Sequence, residues 1–126
     1  MHRSRVGVVL VDVEESRYNA AEKFWEAVTG RRAEPEPDDE PYATLGSLDG
    51  ISLALQRTGA GTPARVHLDV ESDDVNAETE RLVGLGATVT ERREGHVILA
   101  DPAGQPFCVV PVQTGAAFEE HARTWD

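Results

Sequence analysis

Only one cysteine occurs in the 126 residues, so no intrachain disulfide can form and the usual mark of a secreted, stapled fold is missing. Basic residues are scarce too: 12 Lys and Arg stand against 23 Asp and Glu, for a formal charge of -11. Binding to a phosphate backbone depends on clustered cations that release counterions, so this balance predicts no nucleic-acid partner. No apolar run approaches the roughly 18 residues of a membrane span, which predicts no membrane partner. At the N-terminus, the run from Val6 to Val11 is too short for a signal-peptide core followed by a cleavage site. A cytoplasmic protein is the expectation. No G-x-G-x-x-G, P-loop or C-x-x-C pattern occurs, so nucleotide and redox-motif chemistry lack support.

What is present is a repeat. Laying Val66 over Val9 sets V-H-L-D-V-E on Val9-Leu10-Val11-Asp12-Val13-Glu14, and Asn76-Ala77 then falls on Asn19-Ala20. The length is that of one domain, so the expectation is two modules, at about 5–57 and 65–113, sharing one core. The turn-forming segment 58–64 links them, and residues 114–126 form a tail.

In the first module, Arg5 to Val13 reads as a buried strand with Val9, Val11 and Val13 on one face and Val8, Leu10 and Asp12 on the other. Ser16 is placed to cap a helix whose Ala20, Ala21, Phe24, Ala27 and Val28 recur at three- and four-residue spacing, with Gly30 as its stop. Phe24 and Trp25 are expected to anchor that helix on the sheet. From Arg31 to Pro41 the pattern weakens to a short edge strand at most, and the acidic run Glu34 to Glu40 reads as a solvated connector. Tyr42 to Leu45 and Gly50 to Gln56 are strands; Leu53 and Leu55 face one way in the latter, Ala54 and Gln56 the other.

The second module repeats this plan. Val66, Leu68 and Val70 are expected to face a helix layer, with His67 and Asp69 pointing opposite. Ser72 or Asp73 caps a helix carrying Val75, Leu82 and Leu85 inward, and Gly86 closes it. Thr88 to Arg92 and His96 to Ala100 form a hairpin. Asp101-Pro102-Ala103-Gly104 suits a type I turn. It leads into a strand with Phe107 and Val109 on the helix face and Cys108 and Val110 on the other. The tail is expected to form a short helix, with Phe118 and Trp125 packing on the body or on a second subunit. His2, His96 and His121 lack ligand spacing and are expected at the surface.

The faces turned from the helices hold Leu10, Asp12, Ala54, Gln56, His67, Asp69, Cys108 and Val110, too apolar to be wet and too polar for a plain core. Two such sheets, curled, would enclose a cleft, the default place for a small-molecule ligand.

The segments F-W-E-A-V-T-G, R-V-H-L-D-V, G-L-G-A-T-V and L-A-D-P-A-G-Q-P-F-C-V-V resemble the vicinal oxygen chelate (VOC) superfamily, especially its glyoxalase-like, bleomycin-resistance-type single-domain members. The resemblance covers most of the chain. It implies an α+β fold of two tandem βαβββ modules that form a curled mixed β-sheet cleft with helices outside, the glyoxalase/bleomycin resistance/dioxygenase fold. It also implies a homodimer. Enzymes of that superfamily hold a divalent metal with four side chains, one from the first and one from the last strand of each module. Carried over, the first-strand positions are Leu10 and His67. Matching Gly50 to Gly104 gives Ala54 and Cys108 as the last-strand positions, where Cys108 replaces the common Glu.

Leucine and alanine donate nothing to a metal, and one imidazole with one thiol suits hard-ion chemistry poorly. The expectation is no catalytic metal, a small organic molecule in an apolar cleft, and His67 and Cys108 as the catalytic candidates if a reaction occurs. A thiol beside an imidazole can become a nucleophilic thiolate, whereas a buried free cysteine is usually inert. The alternatives are a metal-dependent lyase, isomerase or dioxygenase, and a non-catalytic dimerisation module.

Overall fold

The computed structural model describes residues 1–37 and 41–126. These contain nine strands and three α-helices: β1 (His2–Glu14), α1 (Tyr18–Thr29), β2 (Glu34–Pro35), β3 (Tyr42–Leu48), β4 (Ile51–Thr58), β5 (Arg65–Ser72), α2 (Val75–Gly84), β6 (Thr88–Arg93), β7 (His96–Ala100), β8 (Pro106–Pro111), α3 (Ala116–His121) and β9 (Arg123–Trp125). They divide into two compact units, a smaller one of residues 9–66 and a larger one of residues 1–8 with 67–126. The long strand β1 contributes its first part to the larger unit and the rest to the smaller.

In the smaller unit the strand order is β2-β3-β4-β1, and in the larger it is β6-β7-β8-β5, with β1 beyond β5 and β9 pairing β1. Each unit thus runs strand, helix, three strands, and its last strand returns beside its first. That return is parallel between β5 and β8, which a crossover through α2 permits, while β6, β7 and β8 pair antiparallel. The architecture is mixed α+β.

The smaller unit packs Val11 and Val13 of β1 and Leu53 of β4 against Tyr18, Leu45 and Leu55, with Trp25 of α1 on top. The inner face of α1 differs from the expected one. Tyr18, Ala21, Glu22, Trp25, Glu26 and Thr29 are the less exposed positions, and Phe24 is 59% exposed beside Val28 and the exposed Ala20 and Ala27. Phe24 therefore lies edge-on to Trp25, ring centres 5.2 Å apart, and only Trp25 anchors the helix. The polar members of the inner face serve the backbone: Glu26 accepts from the Ala33 N–H at 2.8 Å, and Thr29 donates to the Trp25 carbonyl at 2.8 Å.

Ser16 does not cap α1. It lies in a one-turn 3-10 helix ahead of it and donates to Glu14, while Gly30, at φ 70°, ends the helix as expected. Of the acidic run, Asp38, Asp39 and Glu40 lie outside the described residues; Glu34 and Pro35 form the edge strand β2.

The larger unit has its core at Val97, Leu99 and Val109, with Val70, Phe107 and the α2 residues Val75 and Leu82 packed against them. Leu85 is 68% exposed and not part of it, and Val66 and Leu68 are also exposed rather than covered by a helix layer. The cap of α2 is Asp74, one residue beyond the expected position: its carboxylate accepts from the Ala77 N–H at 3.0 Å. Ser72 instead accepts from the Asp74 N–H. The turn at Asp101 closes through the Gly104 N–H onto the Asp101 carbonyl at 2.9 Å, with Asp101 Oδ1 accepting from Ala103 and Gln105.

The tail is built into this unit more firmly than a packing helix requires. Phe118 of α3 is fully buried, and β9 pairs with the start of β1, His2 opposite Trp125. That pairing buries His2, which is not at the surface: its Nε2 lies 2.8 Å from Oε1 of the buried Glu78. Ser4 and Arg81 also donate to Glu78, at 2.6 Å and at 2.8 and 2.9 Å. Burial pushes the Glu78 carboxyl up, but the hydrogen bonds from Arg81, Ser4 and His2 outweigh it and hold it below its ordinary value of 4.5.

A carboxyl held low in the fold binds its proton later than the unfolded chain does on acidification. Its contribution is complete above the ordinary value and is lost as the pH falls through the folded one. Glu78→Gln should therefore flatten the acid side of the stability profile. Urea midpoints measured from about pH 6 down to about pH 3 check this.

Candidate functional site

Strand β5 alternates cleanly, so His67, Asp69 and Glu71 project to the face opposite Val70 and α2. On the parallel neighbour β8, Asp69 pairs with Cys108 and Glu71 with Val110. On the far side of β8, Ile98 of β7 pairs with Cys108. Three chemically active side chains of the larger unit thus meet on one sheet face. Donor atoms of His67, Asp69 and Cys108 all lie within 4.8 Å of one another, and His67 Nε2 stands 4.0 Å from Asp69 Oδ1. His67 and Cys108 are partly shielded from solvent, and Asp69 and Val110 beside them are buried.

Such a group can hydrogen-bond a polar head group through the imidazole and carboxylate. The thiol and the aliphatic Ile98 and Val110 offer softer surface.

Glu71 is the residue that sequence reasoning missed. It continues the His67, Asp69 row, is fully buried, and lies 3.2 Å from Arg5 Nε. Its Oε1 accepts from the N–H groups of Gln113 and Thr114 at 2.7 and 2.9 Å. Gly7 lies directly under its carboxylate, where a Cβ would collide. The strand's period of two was the available signal, since it places Glu71 with His67 and Asp69.

Leu10, Asp12, Ala54 and Gln56 belong to the smaller unit. Leu10 and Asp12 alternate with Val11 and Val13 and so turn away from the Tyr18 core; Leu10 and Ala54 are buried. Asp12 is buried and its Oδ2 lies 3.1 Å from Arg65 Nε. Gln56 donates to the Tyr42 hydroxyl at 3.2 Å.

A sequence model of the glyoxalase-like domain family matches residues 8–110. The chain belongs to that family.

Solved structures with the same fold as this glyoxalase-like protein include a glyoxalase/bleomycin resistance protein/dioxygenase superfamily member from Vibrio splendidus. It is 20% identical, with a TM-score of 0.57 over 86% of this chain and 99% of that one. The methylmalonyl-CoA epimerase of Streptomyces coelicolor is 20% identical, with a TM-score of 0.57 over 85% of this chain and 96% of that one. An extradiol ring-cleaving dioxygenase from B. fuscum is 18% identical with a TM-score of 0.58; the match covers 87% of this chain and 33% of that one. Likeness at these identities establishes a shared fold. No curated protein matches the chain.

The superfamily's enzymes imply a divalent metal held by four side chains, and the residues here do not fit that arrangement. On the correspondence that the resemblance implies, two of the four positions fall on Leu10 and Ala54, whose side chains carry no donor atom. The donors that do converge, an imidazole, a carboxylate and a thiol, form a mixed set unlike the oxygen-rich or N/O set that hard ions prefer. Among the described residues, no helix is long and apolar enough to cross a membrane.

Proposed function

We propose that this glyoxalase-like protein binds a small organic molecule and does so without the four-ligand metal of the superfamily's enzymes. The observation that carries the reading is the convergence of His67, Asp69 and Cys108 on one sheet face, next to Ile98 and Val110. Sites for small molecules set a few convergent polar groups beside apolar side chains to fix orientation, and His67 and Asp69 next to Ile98 and Val110 supply such a combination.

The test is a thermal-shift screen of small organic compounds against the wild type and His67→Ala. Hits are expected to raise the melting temperature of the wild type, and His67→Ala should keep the fold while losing most of that shift. Equal shifts in both proteins would remove His67 from the binding surface.

A second reading has its own support. Donor atoms within 4.8 Å of one another need only small rotamer changes to share one ion, and a thiolate, an imidazole and a carboxylate are all zinc ligands. On that reading the chain is a metal-dependent enzyme with an altered donor set. The chain is further proposed to be cytoplasmic, from its single cysteine and lack of long apolar runs, and to form a homodimer, as the family resemblance implies; light scattering on purified protein measures the mass directly.

A further inference from the structure

The larger unit has a concavity on the α2 side of β5 and so on the face opposite His67 and Asp69. It is an open groove of about 350 Å3 between β1, α2 and the tail. Ligand pockets begin at roughly 300 Å3, so a molecule of about ten heavy atoms is the right size. Its floor is apolar: Val6, Val70, Leu82 and one side of Trp125.

The charges around it are uneven. Glu78 is the one carboxylate of the lining, and it is already saturated by Arg81, Ser4 and His2. Arg81 is used twice, gripping Glu78 with two nitrogens and stacking on the Trp125 ring at 3.8 Å from its centre. Trp125 is fixed in turn by its Nε1–H donating to Ser4 Oγ at 2.8 Å. Arg5 reaches the lining with its guanidinium committed to the buried Glu71.

Arg123 is different. It is exposed on β9 at the rim, and its guanidinium has no acidic partner among the described residues. In a chain of net charge -11, a preformed groove with an excess cation is a local reversal of sign.

We propose that this groove binds small organic monocarboxylates. The carboxylate pairs with Arg123, and an aromatic or short aliphatic body rests on Val6, Val70, Leu82 and Trp125. A guanidinium matches a carboxylate in a bidentate geometry, and the rigid Trp125–Arg81–Glu78 stack keeps the floor in place without ligand. The proposal is independent of the His67 surface, because the two lie on opposite faces of β5.

The test follows the two indole N–H resonances of the 15N-labelled full chain, assigned with Trp125→Phe, during titration with phenylacetate and with its neutral twin phenylacetamide. Phenylacetate is expected to move the Trp125 resonance saturably and leave Trp25 in place, with phenylacetamide much weaker. Arg123→Ala should weaken phenylacetate roughly tenfold or more, and Arg123→Lys should recover part of the loss. An unmoved free-state Trp125 resonance in both variants verifies that β9 stays paired. No saturable shift, equal binding of the amide, or undiminished binding by Arg123→Ala would overturn the proposal.

Discussion

Glu71→Ala is expected to destabilise the protein by about 3–5 kcal/mol, the range for breaking a buried ion pair from one side. The variant removes the Glu71 carboxylate from beside the Arg5 guanidinium, whose side chain is 7% exposed, and it strips the acceptor from the Gln113 and Thr114 N–H groups. The loss is therefore more than one interaction. Gln113 and Thr114 open the tail, so its start loses two backbone ties at once. Urea unfolding measures it. A loss under about 1 kcal/mol would mean that water or another group substitutes for the carboxylate, and Glu71 would then not be the anchor described. Thr114→Val provides the scale, since it removes a single hydroxyl donor to Glu71. It should cost about 1 kcal/mol.

Phe118→Ala should cost a similar amount, about 3–5 kcal/mol, as for other fully buried aromatic truncations. Phe118 is fully buried although it sits on a six-residue helix close to the C-terminus, and Arg3 stacks over its ring at 5.1 Å. The same Arg3 bridges Asp73 and Glu119, so the ring, β1 and α3 form one cluster. Phe118→Leu should recover much of the loss by refilling the volume. Thermal or urea unfolding of both variants checks this. A near-neutral Phe118→Ala would show that the tail is an appendage rather than part of the unit's core.

These two residues also mark the limit of what could be read in the sequence. The strands were legible because their side chains alternate: Leu53 and Leu55 against Ala54, Phe107 and Val109 against Cys108. The same periodicity set His67 and Asp69 on one face. Positions where polar side chains turn inward were not legible. His2 was expected at the surface, and nothing local in the sequence marks Glu71 or Glu78 as buried; hydrogen-bond partners, most of them distant along the chain, make the burial of all three possible. On α1, Phe24 and Trp25 carry nearly equal apolar weight, and it is Trp25 that packs on Tyr18, Leu45 and Leu55, with Glu22, Glu26 and Thr29 on the same face. Strand β9 has three residues, and its partner lies at the other end of the chain. No local pattern announces such a pairing.

The candidate site was legible as a set of residues but not as a geometry. The sequence offers eight residues for the faces turned from the helices. The structure brings His67, Asp69 and Cys108 within 4.8 Å of one another, ties Asp12 to Arg65, and adds Glu71 to the row on β5.

The most direct measurement is the metal content of the purified full-length protein, by elemental analysis after expression with zinc, iron, manganese and nickel supplied. The account predicts far less than one metal per chain, with no change in His67→Ala or Cys108→Ser. One tightly held ion per chain that disappears in those two variants would contradict it and would make the cluster on β5 and β8 a metal centre.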